Sequence, residues 1–254
     1  MNIIFPMLGI GSRFQKAGFL MPKYLLDLAE EKILYFVLYG FRNINKFNFI
    51  FLIRKDHNKY NPKYEINRIC RILNIKIFKI IEVENSTNGQ ADSVRLSFNY
   101  CFPNSPLLIF NIDTIHLALD INFDFEYEGM METFFAPGDH WSFAKTNENN
   151  FIYEVAEKKR ISENCSNGLY YFKKLSIYED SYNELYENNG SLNFDSYKEN
   201  YIAPMYNNMI QKKMRVLNRK VDSKDILASG VPSEYYNLCS KYKFKSDLES
   251  QFKK

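Results

Sequence analysis

The chain has 254 residues, enough for one large α/β domain or two small ones. Its 33 basic and 30 acidic residues leave a net charge of +3, which is too balanced for a protein whose main partner is nucleic acid or an anionic membrane. No apolar run approaches the length of a membrane span, the N-terminus lacks the features of a signal peptide, and the four cysteines form no CxxC motif. We therefore expect a reduced, cytoplasmic location.

The first half of the chain alternates short apolar runs with segments of helical periodicity. The apolar runs predict buried strands over residues 3–7, 49–53, 75–82 and 107–112. The spacing of apolar residues predicts helices over about 32–45, 63–73 and 89–101. This alternation predicts a parallel sheet with right-handed crossovers.

The second half has a different pattern, with short strand-like pieces separated by turns. They lie at residues 134–135, 141–145, 153–156 and 169–172, and they favour a small antiparallel extension. Apolar residues on one stripe predict a helix over 196–213. The segment after Leu238 is polar, so a surface helix or disorder is expected there. Without an internal repeat or a clear linker, the chain is interpreted as one domain over 1–240 with a polar tail at 241–254.

Two glycines and two cations follow the first predicted strand. Gly9 and Gly11 lack side chains, so backbone N–H groups there can approach a phosphate closely. Arg13 offers a planar fork suited to phosphate oxygens, and Lys23 follows Pro22, which restricts the backbone around it. Ligands of open α/β sheets bind at the carboxyl ends of the strands, so this loop is a candidate binding site.

The sequence of the loop excludes two common phosphate-binding motifs. No Gly-Lys-Ser/Thr follows, so the loop is not a Walker A motif. Phe14 stands where the GxGxxG fingerprint needs its third glycine, which disfavours a dinucleotide-binding Rossmann domain. On this loop alone, a phosphate site and a strand–helix turn with two solvated cations are equally open interpretations.

Further motifs that follow in order along the chain favour the phosphate-site interpretation. The chain resembles the sugar-phosphate nucleotidyltransferases, the NDP-sugar pyrophosphorylase family with its GT-A-like fold, over roughly residues 1–235. The matching segments are Gly9-Ile10-Gly11-Ser12-Arg13-Phe14 with Pro22-Lys23, Gly89-Gln90-Ala91-Asp92, Asn111-Ile112-Asp113, Glu157-Lys158, Asn167-Gly168-Leu169-Tyr170-Tyr171-Phe172 and Gly230-Val231-Pro232. The members that look most alike are small bacterial proteins of surface-polysaccharide (capsule or lipopolysaccharide) gene clusters.

The resemblance implies a fold and a reaction. The fold would be a Rossmann-type open, mostly parallel mixed sheet flanked by helices, with the antiparallel extension in the second half. An NTP and a phosphorylated small molecule would be the partners: an acceptor phosphate oxygen attacks the α-phosphorus and pyrophosphate leaves. This nucleophile is already an anion at pH 7, so positioning, cations and Mg²⁺ (or Mn²⁺) would carry the catalysis rather than a general base. Monomer and homodimer stay open.

The resemblance also implies roles for particular residues. Arg13 would grip the β- and γ-phosphates, Lys23 would meet the α-phosphate, and Asp113 would hold the metal, although an aspartate after a strand can also simply form a turn. Nucleotide-binding residues would be Leu8, Gly9, Gly11, Ser12, Gly89, Gln90 and Asp92. Acceptor-binding residues would be Trp141, Glu157, Lys158 and Gly168. Glu157 and Lys158 lie in a charge run, and such runs are usually solvated.

Asp92 carries the one hypothesis about the base. An ionised carboxylate only accepts hydrogen bonds, so a base-facing Asp92 would favour a base with an exocyclic amine, such as cytosine. An aspartate in the first turn of a helix is also favoured for its charge alone. CTP is therefore the slightly favoured nucleotide.

The sequence departs from the family at one position that concerns the metal. Many members carry a second metal-binding aspartate two residues before the glycine of the closing turn, and here Ala228 occupies that position. Asp225 is the nearest upstream candidate for a displaced second carboxylate. The departure keeps open one alternative, a catalytically inactive nucleotide-binding relative, and a further alternative is a GT-A glycosyltransferase, which shares the strand order and uses an NDP-sugar. The latter normally uses a D-x-D motif, of which Asn111-Ile112-Asp113 is only half.

Overall fold

The computed structural model describes residues 1–42, 44, 46–84, 86–121, 126–187 and 199–253. Its strands are β1 (Asn2–Met7), β2 (Asp27–Leu28), β3 (Glu31–Lys32), β4 (Asn48–Arg54), β5 (Phe78–Val83), β6 (Leu107–Phe110), β7 (Thr114–His116), β8 (Gly129–Phe134), β9 (Ser142–Thr146), β10 (Ile152–Glu157), β11 (Cys165–Phe172), β12 (Val216–Lys220) and β13 (Ile226–Ala228). Its helices are α1 (Ser12–Lys16), α2 (Ile33–Tyr39), α3 (Pro62–Ile72), α4 (Gln90–Arg95), α5 (Leu175–Tyr182), α6 (Met205–Gln211), α7 (Pro232–Lys241) and α8 (Lys245–Glu249).

A nine-stranded mixed sheet runs through the described part of the chain, in the order β10-β9-β11-β6-β1-β4-β5, with β8 attached to β11 and β12 attached to β8. The strands β6, β1, β4 and β5 are parallel. The strand β11 is antiparallel to β6 and to β8, and β9 and β10 continue the antiparallel part. The mostly parallel α/β sheet with a small antiparallel extension is therefore confirmed.

The central strands are buried on both faces, which explains their continuous apolar runs. Ile3 and Phe5 point into a core beneath one face, whereas Ile4 points into a second core on the other, since successive strand residues alternate. The ring of Phe5 stacks on that of Phe51 at 5.1 Å between centroids. This two-sided packing fixes the ends of the parallel strands, from which the loops of the site emerge.

The C-terminal tail is better packed than its polar sequence indicates. Leu248 and Phe252 are buried in the first core, and the Phe252 ring lies 4.7 Å from that of Tyr39. Tyr35 donates a hydrogen bond to Glu249. Of the two predicted alternatives, the surface helix is the one observed: only Leu248 of α8 is buried, and two apolar side chains dock it.

The helix predicted over 196–213 is shorter in the structure. Residues 196–198 lie outside the described residues, 199–204 form no α-helix, and α6 spans Met205–Gln211. Pro204 stands at its N-cap, where the missing N–H of proline costs no hydrogen bond. The predicted apolar stripe is present, since Met205, Tyr206 and Met209 are buried in the second core. None of the described helices is long and apolar enough to cross a membrane.

Candidate active site

The carboxyl ends of β1, β4, β5 and β6 meet at one edge of the sheet, where adjoining cavities open, and two of them are lined by both Arg13 and Asp113. The first, which we call the loop cavity, has a volume of about 620 Å³. Arg13, Lys23 and Asp113 all line it, together with the glycine loop and residues 86–90. The structure thus brings Asp113 next to Arg13 and Lys23, from which it is far apart in the chain.

The glycine loop presents open backbone to this cavity. Gly11 has a φ of +68°, the left-handed region that favours glycine, and it stands at the N-cap of α1. At Gly9, a Cβ atom would meet nothing within 4 Å, so the backbone there is free to approach a ligand. Leu8 and Ser12 line the same cavity. The predicted nucleotide-binding residues of the loop therefore face one space.

Lys23 and Asp113 form an ion pair at the bottom of the site. Lys23 Nζ donates to Asp113 Oδ2 at 2.5 Å, and each side chain is about a quarter exposed (25% and 26%). Burial opposes ionisation of Asp113, but the charge and hydrogen bond of Lys23 hold the pKa of this carboxyl below its usual value, with a smaller contribution from Arg13. Asp113 is therefore an anion over the neutral and mildly acidic range.

The second wall of the loop cavity is the turn before α4. Asn200 N donates to Asn88 O at 2.9 Å, and Ala91 N donates to Asn200 O at 2.9 Å, so residues 199–202 are hydrogen-bonded to this turn. A Cβ atom on Gly89 would lie 2.4 Å from Asn200 N, so this close approach requires glycine. Gly89 and Gln90 line the loop cavity, as expected.

Asp92 does not face the loop cavity, which removes the basis of the cytosine hypothesis. Its Oδ2 accepts from Asn88 N at 2.8 Å, and its Oδ1 accepts from Tyr182 Oη and from Asn200 Nδ2. Its side chain lies along a separate shallow depression on the other side of the turn. Asp92 thus holds the turn in place, because three donors converge on its carboxylate.

The second cavity, which we call the aromatic cavity, has a volume of about 290 Å³. Trp141, Tyr170 and Tyr201 line it, together with Glu157 and Lys158. It shares Arg13, Gln90, Asp113 and Glu199 with the loop cavity. A ligand in one cavity can therefore approach a ligand in the other next to the cations of the loop.

Glu157 and Lys158 are adjacent in the chain but differ in environment. The side chain of Glu157 is 7% exposed and accepts a hydrogen bond from Ser142 Oγ. Burial raises the pKa of Glu157, and the Ser142 bond and Lys158 only partly offset this. The side chain of Lys158 is 47% exposed, and its ammonium lies 4.3 Å from the centre of the Tyr201 ring. The pair therefore offers both an acceptor and a cation to a ligand.

Gly168 packs against Asn111 and does not line the acceptor site as predicted. Its φ is +88°, and a Cβ atom there would lie 2.3 Å from Asn111 Nδ2. The space beside this glycine is thus filled by the Asn111 side chain and not left for an acceptor. Asn111 Oδ1 in turn accepts from Gln90 Nε2 at 2.5 Å, so Gly168 supports a side-chain pair in which Gln90 lines both cavities and Asn111 lines the aromatic cavity.

Asp225 is not a partner of Asp113. Its carboxylate accepts from Lys253 Nζ at 2.6 Å, and it lines neither cavity. Ala228, by contrast, pairs with Thr114 where β13 and β7 lie side by side, and it lines the aromatic cavity. Thr114 directly follows Asp113 in the chain. The position at which many members of the resembled family have a second aspartate therefore lies at the site, but its side chain here is only the methyl group of alanine.

A metal ion at this site would have few protein ligands. Within the described ranges, no group of three or more His, Cys, Asp or Glu side chains could hold one. Gly230 lies close to this carboxylate, since a Cβ atom on Gly230 would be 3.2 Å from Asp113 Oδ2 and 3.6 Å from Glu234 Oε2. Mg²⁺ is commonly held by one or two carboxylates and substrate phosphates, so Asp113 suits a metal that arrives with a nucleotide.

Sequence reasoning missed two residues of the site: Glu199, which lines both cavities, and Tyr201, which lines the aromatic cavity. Glu199 and Tyr201 were assigned to a helix, whereas the structure places them in the non-helical segment that adjoins the turn before α4. Pro204 was the available signal, since a proline often marks the first turn of a helix rather than its interior.

The fold and the two cavities define an α/β protein that presents cations and a carboxylate at the carboxyl edge of a parallel sheet. Neither a family model nor a curated protein sequence matches the chain. Among solved structures, the nucleoside-diphosphate-sugar pyrophosphorylase from Vibrio cholerae RC9 is 31% identical, with a TM-score of 0.84 over 94% of this chain and 99% of that one.

Two more distant structures share the fold. The inositol-1-phosphate CTP transferase from T. maritima is 16% identical, with a TM-score of 0.70 over 95% of each chain. A UDP-glucose pyrophosphorylase complexed with UDP-glucose is 13% identical, with a TM-score of 0.71 over 95% of this chain and 97% of that one. The similarity to the Vibrio protein over nearly the whole of both chains shows the family: this chain belongs to the nucleoside-diphosphate-sugar pyrophosphorylases and related nucleotidyltransferases, which are enzymes.

Proposed function

We propose that this protein transfers a nucleoside monophosphate from an NTP to a sugar 1-phosphate or a similar phosphomonoester and releases pyrophosphate. One observation carries the proposal: Arg13, Lys23 and Asp113 line a single cavity, and this cavity adjoins a second one that is lined by Glu157 and Lys158. The NTP would occupy the loop cavity and the acceptor the aromatic cavity. The reacting phosphates would then meet beside Arg13 and Asp113, which belong to both.

In this proposal, the chain contributes positioning and charge. Open backbone at Gly9 and Gly11 receives the triphosphate, and Arg13 neutralises the β- and γ-phosphates as pyrophosphate departs. Lys23 moves from Asp113 toward the α-phosphate, where negative charge grows in the transition state. The attacking phosphate oxygen is already ionised, so no residue needs to remove a proton.

Asp113 would be the ligand of Mg²⁺ or Mn²⁺. Such an ion supplies positive charge to phosphate oxygens and orients them. The low pKa of Asp113 supports this role, because the carboxylate is available as an anion without protonation competing near neutral pH. With Ala228 in place of a second aspartate, we expect weaker metal binding in the absence of nucleotide.

The base and the biological context are the finer parts of the proposal. The sequence slightly favours CTP, on the argument that Asp92 faces the base. The structure removes that argument, because the Asp92 carboxylate accepts hydrogen bonds from Asn88, Tyr182 and Asn200. A role in capsule or lipopolysaccharide synthesis is proposed from the resemblance of the sequence to bacterial members. The cytoplasmic location is proposed from the cysteine pattern and the apolar runs, and a homodimer is one of the two open oligomeric states.

Pyrophosphate release from the purified chain tests the proposal. CTP, UTP, dTTP, GTP and ATP would each be combined with a panel of sugar 1-phosphates and other phosphomonoesters, with Mg²⁺ or Mn²⁺. We expect release that requires both an NTP and an acceptor. Tight NTP binding without release under any condition would instead support the inactive relative, and nucleoside diphosphate release from an NDP-sugar would support a glycosyltransferase.

A further inference from the structure

The wall of the aromatic cavity that comes from residues 199–202 makes a contact which the reaction above does not explain. Lys158 Nζ donates a hydrogen bond to Tyr201 Oη and lies 4.3 Å from the centre of the same ring. The nearest carboxylate oxygen, Glu157 Oε1, is 4.0 Å away. Tyr201 is therefore the main partner of the Lys158 ammonium.

We propose that Tyr201 is a positioning residue that holds the Lys158 ammonium where the acceptor phosphate binds. This inference rests on the proposed function, in which Lys158 neutralises that phosphate. A lysine carries its charge on a flexible four-carbon stem, and fixing such a stem costs entropy. A ring face and a hydroxyl that hold the ammonium in advance reduce that cost when the phosphate arrives.

The backbone at Lys158 supports a constrained side chain. Lys158 has a φ of +54°, which is uncommon for a residue with a Cβ atom, and its N–H donates to Trp141 O at 2.9 Å. The start of the side chain is thus fixed at the edge of the cavity by β9 and β10. Tyr201 fixes the other end, so both ends of the lysine are held.

The position of Tyr201 depends in turn on the nucleotide side of the site. Its neighbour Asn200 exchanges backbone hydrogen bonds with Asn88 and Ala91, and its side chain donates to Asp92 Oδ1 at 2.7 Å. Tyr186 Oη donates to Tyr201 O at 2.6 Å. The segment that carries Tyr201 is therefore attached to the turn that lines the loop cavity, and the acceptor cation is placed from the nucleotide side.

Steady-state kinetics of Tyr201 variants test the inference. We expect Tyr201→Leu to raise the acceptor KM about 3- to 10-fold while the NTP KM stays within about twofold. Tyr201→Phe keeps the ring but loses the hydroxyl, so its acceptor KM should lie between those of Tyr201→Leu and the wild type. Tyr153→Leu is the matched control, because Tyr153 is 54% exposed on β10 and lines neither cavity.

A double-mutant cycle separates this role from a merely structural one. In a Lys158→Met background, Tyr201→Leu should change the acceptor KM by less than about 1.5-fold, because the group on which Tyr201 acts is gone. Equal effects of Tyr201→Leu in both backgrounds, or equal rises in the KM values of NTP and acceptor, would overturn the inference.

Competitive labelling of lysines gives a readout that needs no turnover. At a limiting dose of N-hydroxysuccinimide acetate, peptide mass spectrometry would compare Lys158 with Lys145, which pairs with Glu154 outside both cavities. Tyr201→Leu should speed the labelling of Lys158 relative to Lys145 about 2- to 5-fold. An unchanged ratio contradicts the contact, whereas the expected ratio without turnover on any substrate supports the contact and rejects the proposed function.

Discussion

Removing the ammonium of Lys23 is the perturbation that separates its structural contribution from its catalytic one. Lys23→Met keeps the length of the stem and deletes the charge that lies 2.5 Å from Asp113 Oδ2. A hydrogen bond between charged groups contributes about 1.5–3 kcal/mol, and with a quarter of each side chain exposed we expect a loss of about 1–2 kcal/mol in stability. For a chain of this size, that corresponds to a fall in Tm of roughly 2–8 °C.

The expected loss in catalysis is larger. Deleting a group that stabilises transition-state charge typically lowers kcat by about 10²–10³, or about 2.7–4 kcal/mol. Pyrophosphate release would measure kcat, and urea unfolding would measure stability. Lys16→Met is the matched control, since Lys16 is an exposed lysine at the end of α1 that lines neither cavity.

The pH dependence of stability adds a check on the ion pair. Because Lys23 lowers the folded-state pKa of Asp113, the stability from this pair is present above the unfolded pKa of about 3.9 and is lost as pH falls through the folded value. The difference between wild type and Lys23→Met should therefore shrink from pH 7 to pH 2–3. A kcat within about threefold of wild type, with the stability loss present, would refute the catalytic role of Lys23.

Three further variants probe other parts of the site. Burial raises the pKa of Glu157, so acceptor kcat/KM should fall toward acidic pH with an apparent pKa above 4.5, and Glu157→Gln should remove that limb of the profile. Gly168→Ala should lower the free energy of unfolding by about 1–3 kcal/mol and reduce activity, because its Cβ would lie 2.3 Å from Asn111 Nδ2 at a φ of +88°. Asp92→Ala should raise the KM of every NTP by a similar factor, about 3- to 10-fold, since it holds the turn rather than the base.

For each of these variants, one experimental outcome would contradict the physical explanation given for it. An acid limb that persists in Glu157→Gln would assign it to another group. Urea unfolding of Gly9→Ala is the control for Gly168→Ala, because a Cβ at Gly9 meets nothing within 4 Å, and equal stability losses would show that the contact with Asn111 is unimportant. A change in the ratio of CTP to UTP turnover in Asp92→Ala would restore a role for Asp92 in base choice.

The amino-acid sequence by itself determined the parallel half of the sheet and the convergence at its edge. Continuous apolar runs specify strands that are buried on both faces, and parallel strands end at the same edge. The loops that follow such strands, which carry Arg13 after β1 and Asp113 after β6, are therefore expected at the same edge. The physical constraint is local: a strand fixes the place where the next loop begins.

Only the tertiary structure decided which way side chains on turns and irregular segments point. Asp92 lies two residues after the first residue of α4, but its three hydrogen-bond donors come from residues 88, 182 and 200, and they turn it away from the cavity. Gly168 and Tyr201 depend likewise on partners at residues 111 and 158. Such contacts join segments far apart in the chain, so no local spacing or periodicity encodes them, and only the packed fold selects among the partners that the sequence allows.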